Sequence, residues 1–275
     1  MTDVLTPVAA GVRAALNYVT DTGEKPVSET GGADGLMRTY RASFEPHAVT
    51  IEDGRPRRAE FSLDVSGFEL ADHTTRVKDF FDAEELARVY YPEAAALIAA
   101  RSGARRVHVF DHTLRAGSEA VREARKIREP VRTVHNDYTE WSGPQRVRDL
   151  LPGEAEALLA RRFAIIQVWR AVTQPIGRDP LTLADARSLA PEDFMPAERR
   201  FPSRVGEIYM LRFNPTHRWT FFPRMTRDEA LVFKVYDSER DGRARWCAHT
   251  SFEDPTSEPD APERESIELR AFAFW

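Results

Sequence analysis

Short runs in which apolar and polar residues alternate, separated by turn residues, dominate the chain. Leu36-Met-Arg-Thr-Tyr-Arg-Ala-Ser-Phe44, Val49-Thr-Ile51 and Ala59-Glu-Phe-Ser-Leu-Asp-Val65 alternate in this way, with Asp53-Gly54 between the last two. A period of two puts alternate side chains on opposite faces of a strand, so this segment predicts an antiparallel meander. The period then changes. Leu86, Val89, Tyr90, Ala94, Leu97 and Ile98 recur at helical spacing behind the acidic turn Asp82-Ala-Glu-Glu, and Gly103 is the expected stop. A strand over Arg106–Phe110 and a charged helix from Ser118 to Glu129, ended by Pro130 and read as a solvated face, follow. Val131-Arg-Thr-Val-His135 is β-branched and alternating, so it predicts a strand that delivers His135 and Asp137 at its end.

Beyond Gly143-Pro144, read as a turn, the pattern predicts a helix over Gly153–Arg162 and an apolar strand over Phe163–Val172. Pro175, Gly177, Pro180 and Pro191 mark a long connection. Strands are expected at Val205–Phe213, Arg218–Phe222, Ala230–Tyr236, Arg245–Phe252 and Ser266–Phe274, with a hairpin turn at Glu239–Arg243. Many short strands in the C-terminal half predict a mainly β fold with flanking helices, a jelly-roll or cupin-like core in which ligands enter between two sheets. The expected organisation is one domain over 1–275, with an N-terminal α/β extension (1–104) and the core (105–275). The extension is expected to close one side of the pocket or to form a homodimer contact.

Composition narrows the function classes. A charged fraction of 30% beside 42% hydrophobic residues is that of an ordinary globule, and a net charge of −5 with scattered arginines argues against nucleic acid. The single cysteine, Cys247, excludes an intramolecular disulfide and suits a reducing compartment. The stretch Val8-Ala-Ala10 is too short to insert into a bilayer, and no span of 18 apolar residues occurs. A cytoplasmic location with no membrane partner is the expectation. No Gly-x-Gly-x-x-Gly, P-loop or Gly-x-Ser-x-Gly elbow is present, which removes the usual nucleotide and serine-hydrolase readings.

Three separated segments carry the candidate chemistry. Seven histidines and 44 acids in 275 residues give about one His-x-acid match by chance, and His135-Asn-Asp137 is the one present. Its place at a strand end matters, because residues i and i+2 project to the same side and can reach one metal. In Arg245-Trp-Cys-Ala-His-Thr-Ser-Phe252, alternation puts Cys247, His249 and Ser251 on one face, which implies a cavity wall. Cys247 is read as part of that wall and not as a ligand. Two imidazoles and one carboxylate suit iron(II) with open positions. Arg264 and Ser266 share a face at the start of the last strand, and guanidinium plus hydroxyl suits the far carboxylate of a 2-oxo acid. Arg270 faces the same way and is the reserve candidate. Arg146, Trp169 and Arg170 are the candidate substrate contacts, with Trp141 and Trp219 as further aromatic candidates near the mouth. A second metal site at His108 and His112 is disfavoured by their strand spacing, and the acids Asp228, Glu229 and Asp237 are expected to pair with Lys234 or arginines.

His135-x-Asp137, His249 and Arg264-x-Ser266 together resemble the iron(II)/2-oxoglutarate dioxygenase pattern. The strings Val109-Phe-Asp-His-Thr-Leu-Arg115, Trp169-Arg170, Asp228-Glu-Ala-Leu-Val-Phe-Lys-Val-Tyr-Asp-Ser238, His249-Thr-Ser-Phe-Glu-Asp-Pro255 and Pro262-Glu-Arg-Glu-Ser-Ile-Glu-Leu-Arg270 resemble the CmcJ/NvfI/AsaB-type oxidoreductases of natural-product pathways. The resemblance covers roughly residues 105–275. It implies a double-stranded β-helix core, iron on the positions matching His135, Asp137 and His249, and 2-oxoglutarate near Arg264. It also implies Fe(II), 2-oxoglutarate and O₂ as cofactor and co-substrates, with hydroxylation, desaturation or ring formation on a small natural-product substrate; a cation near an apolar pocket, Arg146 or Arg170, would itself suit a carboxylate such as an amino acid. Gln167 stands where Asn is usual and Ala171 where Pro is usual, which bears on the local wall and not on the iron site. The competing readings are a cupin-like hydrolase or isomerase that uses the same triad without 2-oxoglutarate, and a binding module without turnover.

Overall fold

A computed structural model describes residues 11–31, 37–173, 175–202 and 204–275. Val8–Ala10 and Leu36 lie outside the described residues. Two sheets face each other. The larger consists of β1 (Gly11–Val19), β2 (Val27–Gly31), β3 (Met37–Arg41), β4 (Phe44–Asp53), β7 (His135–Asn136), β9 (Leu181–Ala184), β10 (Phe194–Phe201), β11 (Arg204–Leu211), β12 (Trp219–Phe221) and β14 (His249–Ser251). The smaller consists of β5 (Phe68–Asp72), β6 (Arg106–Ala116), β8 (Phe163–Ala171), β13 (Glu229–Asp237) and β15 (Glu265–Phe274). Their orders are β1-β4-β12-β9-β14-β7-β11-β10-β2-β3 and β5-β13-β8-β15-β6. The expected two-sheet jelly-roll architecture is therefore present, and the N-terminal strands extend its edges instead of packing beside it.

The smaller sheet shows how sequence becomes layers. β8 sits in its centre and is buried on both faces, which is why Phe163–Ala171 reads as an almost unbroken apolar run. Its odd-numbered side chains, Phe163, Ile165, Trp169 and Ala171, enter the core between the sheets with Phe233, Leu183 and Phe272. Ala164, Ile166 and Val168 face the opposite way, toward a helix. Asp82 caps that helix by accepting hydrogen bonds from the amides of Glu84 (2.9 Å) and Glu85 (3.2 Å). α1 (Ala83–Glu85) passes through one π turn (Leu86–Tyr90) into α2 (Tyr91–Ser102), which ends at Gly103 with φ 72°. Pro92 lacks the amide that would close an ordinary turn and its ring crowds the preceding one, which accounts for the wider turn just before it. Ala94, Leu97 and Ile98 form the buried stripe of α2.

Several expectations need correction. Ala59–Val65 is not a strand: a 3-10 helix occupies Arg55–Glu60, and the amides of Val65, Ser66 and Gly67 all converge on the carbonyl of Ser62. Gly67, at φ 87°, then starts β5. The strand predicted over 131–135 is reduced to two residues, and that over 245–252 to three. The charged helix α3 (Glu119–Arg125) stops early because Lys126 takes a left-handed conformation. Gly143-Pro144 does not turn the chain; it lies in α4 (Ser142–Leu150), where a Cβ on Gly143 would stand 2.7 Å from the Tyr236 ring. A short α5 (Ala155–Leu159) follows. β9 lies within the expected loop at 175–191, and Glu239–Arg243 does not close a hairpin, since β13 and β14 belong to different sheets. Two of the three acids behave as expected: Asp237 bonds Lys234 and Arg162, and Glu229 makes a two-point pair with Arg55, while Asp228 makes no ion pair among the described residues. Among the described residues, no helix is long and apolar enough to cross a membrane.

Candidate metal centre

β7 and β14 are adjacent in the larger sheet, and their register sets His135 directly opposite His249. The two imidazole centroids are 4.5 Å apart. Asp137 follows β7 by one residue and turns to the same side, so that ligand atoms of His135, Asp137 and His249 lie within 4.8 Å of one another. Each ring is oriented by its other nitrogen. His135 Nδ1 lies 2.8 Å from the Thr133 carbonyl and His249 Nδ1 3.0 Å from that of Cys247, so both Nδ1 atoms carry the proton and donate. Nε2 of each ring is thereby left with its lone pair directed into the site, the tautomer a metal requires. His249 Nε2 is buried and has no hydrogen-bond partner among the described residues. A buried acceptor without a donor is a cost unless a cation occupies it, so the donor set fits a divalent metal.

The carboxylate is equally prepared. Gln167, expected to bear on the local wall and not on the iron site, instead donates from Nε2 to Asp137 Oδ2 at 2.7 Å because its side chain faces between the sheets, and Arg270 Nε donates to the same oxygen at 2.8 Å. Oδ1 stands 3.6 Å from His135 Nε2. Burial opposes ionisation of Asp137, but the positive charge of Arg270 against it prevails and holds its pKa well below the usual carboxylate range.

Beside His249 lies a narrow space lined by Arg115, His135, Leu181, Ser251, Arg264 and Glu268, among others. Arg264 is only 3% exposed. Its guanidinium donates to the Asp179 carbonyl (2.6 Å), Ser251 Oγ (3.2 Å) and Ser266 Oγ (3.0 Å), and lies over the Trp169 ring at 5.1 Å. Among the described residues it has no carboxylate partner. Burial, with the neighbouring charge of Arg115, pushes its pKa down to about 9. Arg270 is engaged differently, with Asp137, Glu268 and Asp111 around it. Of the two arginines on this face, Arg264 is therefore the one with charge to offer an incoming anion.

On the other side of Asp137 a cleft of about 390 Å³ opens to solvent. Arg146, Trp141, Tyr138, Phe201, Arg204 and Arg270 are among its walls. Arg146 lies over the Phe110 ring and Arg204 over the Phe201 ring, and neither has an acidic partner within ion-pair distance among the described residues. Burial and the nearby charge of Arg146 lower the Arg204 pKa.

The sequence-predicted residues thus divide. His135, Asp137 and His249 come together, Arg264 meets Ser266, Trp169 forms the floor beneath Arg264, and Arg146 lines the cleft. Arg170 does not join them. Alternation in β8 turns it to the outer face, where it bonds the carbonyls of His73 (3.3 Å) and Arg227 (3.2 Å) and covers the Tyr90 ring. Trp219 is core in the larger sheet and donates to Tyr18 Oη. His108 and His112 do not share a face: a bulge where β6 meets β15 sends His108 onto Phe272 and His112 onto Tyr91. Among the described residues, the one cluster of His, Cys and acidic groups able to hold a metal is His135, Asp137 and His249. Arg204 was missed, since nothing in its local sequence separates it from the arginines around it.

Comparison with known proteins agrees with this geometry. Residues 16–274 match the family described as Oxidoreductase/YMDC permease-like domain. The chain is 31% identical to the hydroxylase/desaturase efuI of Hormonema carpetanum, with 96% of this chain and 95% of that one covered. It is 32% identical to the Fe(II)/2-oxoglutarate-dependent dioxygenase nvfI of Aspergillus novofumigatus, with 84% of each covered. Among solved structures, the iron and alpha-ketoglutarate-dependent endoperoxidase NvfI superposes with a TM-score of 0.85 at 28% identity, over 96% of this chain and 98% of that one. The chain belongs to the CmcJ/NvfI/AsaB-type oxidoreductases of natural-product biosynthesis and is an iron(II)- and 2-oxoglutarate-dependent dioxygenase that acts on a small molecule.

Proposed function

We propose that His135, Asp137 and His249 hold the iron, that Arg264 and Ser266 bind the far carboxylate of 2-oxoglutarate, and that a small carboxylate-bearing natural product enters through the cleft flanked by Arg146 and Arg204. Iron(II) with 2-oxoglutarate and O₂ supplies the oxidising chemistry that removes hydrogen from the substrate. The chain's own residues do the rest. The Thr133 and Cys247 carbonyls hold the two imidazoles in the metal-binding tautomer. Arg264, kept in place by Asp179, Ser251 and Ser266, presents a buried cation beside His249. Trp169, Leu181 and Phe233 surround this region with apolar surface, which excludes water and strengthens every charge interaction inside.

The observation that carries the reading is Arg264: a buried guanidinium that, among the described residues, has no carboxylate partner and lies next to a histidine whose Nε2 is also unpartnered. A hydrolase or isomerase using the triad alone would leave that cation unexplained. Two unpaired arginines over aromatic rings at the cleft mouth favour an anionic substrate with apolar surface. The test is succinate release across a panel of small carboxylic acids and their methyl esters, with Fe(II) and 2-oxoglutarate present. Acids are expected to stimulate release and esters to fail. Equal stimulation by esters would refute the carboxylate assignment, and succinate release that does not require 2-oxoglutarate binding at Arg264 would refute the co-substrate site.

A further inference from the structure

Strand registers place four side chains side by side across the inner face of the smaller sheet: Phe233 in β13, Gln167 in β8, Arg270 in β15 and Asp111 in β6. This row faces the candidate metal centre. Phe233 meets the ring of His249 edge-on at 4.9 Å between centroids. The two central members reach across the sandwich to a single atom, Asp137 Oδ2, at 2.7 Å from Gln167 and 2.8 Å from Arg270. Gln167, Arg270 and Asp137 are all buried.

The bonding pattern is one-sided. A carboxylate oxygen accepts two in-plane hydrogen bonds, and Oδ2 has both from these two donors. Oδ1 is turned toward His135 Nε2, 3.6 Å away. Gln167 Oε1 is buried and has no hydrogen-bond partner among the described residues, so the contact of its amide with Asp137 is what fixes this side chain; the flipped amide would set oxygen against carboxylate. Arg270 is itself held from behind by Glu268, Thr113 Oγ1 (3.1 Å) and Asp111 (3.5 Å).

We infer that Gln167 and Arg270 are positioning residues that saturate Asp137 Oδ2 and restrict this carboxylate to metal binding through Oδ1 alone. The inference rests on the proposed assignment of His135, Asp137 and His249 as the ligand set. A carboxylate with both oxygens available can close over a cation through two atoms and take up one more coordination position. The clamp keeps that position open for small molecules.

The test uses the full chain, metal-free and without 2-oxoglutarate, titrated with Co(II) and read by its visible d–d absorption. Gln167→Met keeps length and neutrality but removes the donor. It is expected to weaken Co(II) binding roughly tenfold to a hundredfold and to change d–d intensity as the coordination number changes. Gln167→Ala serves as the second variant if methionine is not accommodated. Arg270→Lys keeps the charge without the in-plane donor and is expected to weaken binding in the same direction. A folded Gln167→Met protein with affinity within about twofold of wild type and an unchanged spectrum overturns the inference, given the size of effect outer-shell partners ordinarily have. His135→Ala separates the two levels. Loss of metal there, with full binding in Gln167→Met, defeats the clamp alone, whereas wild-type binding in both defeats the ligand assignment and the clamp with it.

Discussion

Replacing Arg264 by methionine tests the co-substrate assignment at a magnitude that the structure sets. The side chain is buried, lacks an acidic partner among the described residues, and is held by Asp179, Ser251 and Ser266 so that its charge faces the space beside His249. A far carboxylate accepting two charge-assisted bonds there gains about 3 kcal/mol, taking roughly 1.5 kcal/mol for each. Methionine keeps most of the volume and removes both bonds, so Kd for 2-oxoglutarate should rise at least about a hundredfold. The assay is an anaerobic titration of the iron(II) protein with 2-oxoglutarate, followed by the weak visible charge-transfer band of the chelate. 2-Oxobutyrate, which lacks the far carboxylate, supplies the internal control. Wild type should prefer 2-oxoglutarate to 2-oxobutyrate by about the same hundredfold, and Arg264→Met should bind the two nearly alike. Equal 2-oxoglutarate affinity in wild type and Arg264→Met would refute the reasoning, and Arg270 would not replace Arg264, because its charge is already committed to Asp137 and Glu268.

Other outcomes follow from the same geometry. Arg204→Ala and Arg146→Ala should each raise KM for a carboxylate substrate about tenfold while leaving 2-oxoglutarate binding unchanged, since each removes about one charge-assisted bond of roughly 1.5 kcal/mol at a distance from Arg264. Ile98→Ala, in the buried stripe of α2 on the far side of the smaller sheet, should lower stability by about 2–5 kcal/mol in a denaturant titration without shifting metal affinity. Acidification gives a signed prediction for the metal-free protein. The folded-state pKa of Asp137 is depressed, so its contribution is fully present above the unfolded carboxylate value of about 3.9 and is lost as pH falls below it. The acid limb of a pH–stability curve should therefore flatten in Asp137→Asn relative to wild type.

The elements legible in the sequence were those whose burial is uniform. Phe163–Ala171, Glu229–Asp237 and Glu265–Phe274 lie in the middle of the smaller sheet with both faces covered, and the helical stripe Ala94, Leu97, Ile98 covers one of them. The strands that carry the candidate ligands were harder to delimit. β7 and β14 have two and three residues, too few for alternation to fix where they begin and end. β10 was missed since Pro196 and the charges of Glu198, Arg199 and Arg200 obscure any alternation. Arg170 was assigned to the substrate from its neighbour Trp169, although period two already puts adjacent residues on opposite faces. The same rule puts Arg264, Ser266 and Arg270 on one face, and extending it to Glu268 completes a continuous polar row facing the site. What local sequence does not encode is the partner across the sandwich: that Arg270 is spent on Asp137 while Arg264 is left unpaired depends on contacts between residues more than 100 positions apart.

The most direct test of the central claim is anaerobic binding of iron(II) to the metal-free protein, with stoichiometry measured for wild type, His135→Ala and His249→Ala. One iron per chain in wild type, and loss of that binding in both variants with the fold retained, is the predicted result. Full iron binding by His249→Ala would contradict the account, because the buried, unpartnered Nε2 of His249 would then have no metal to serve.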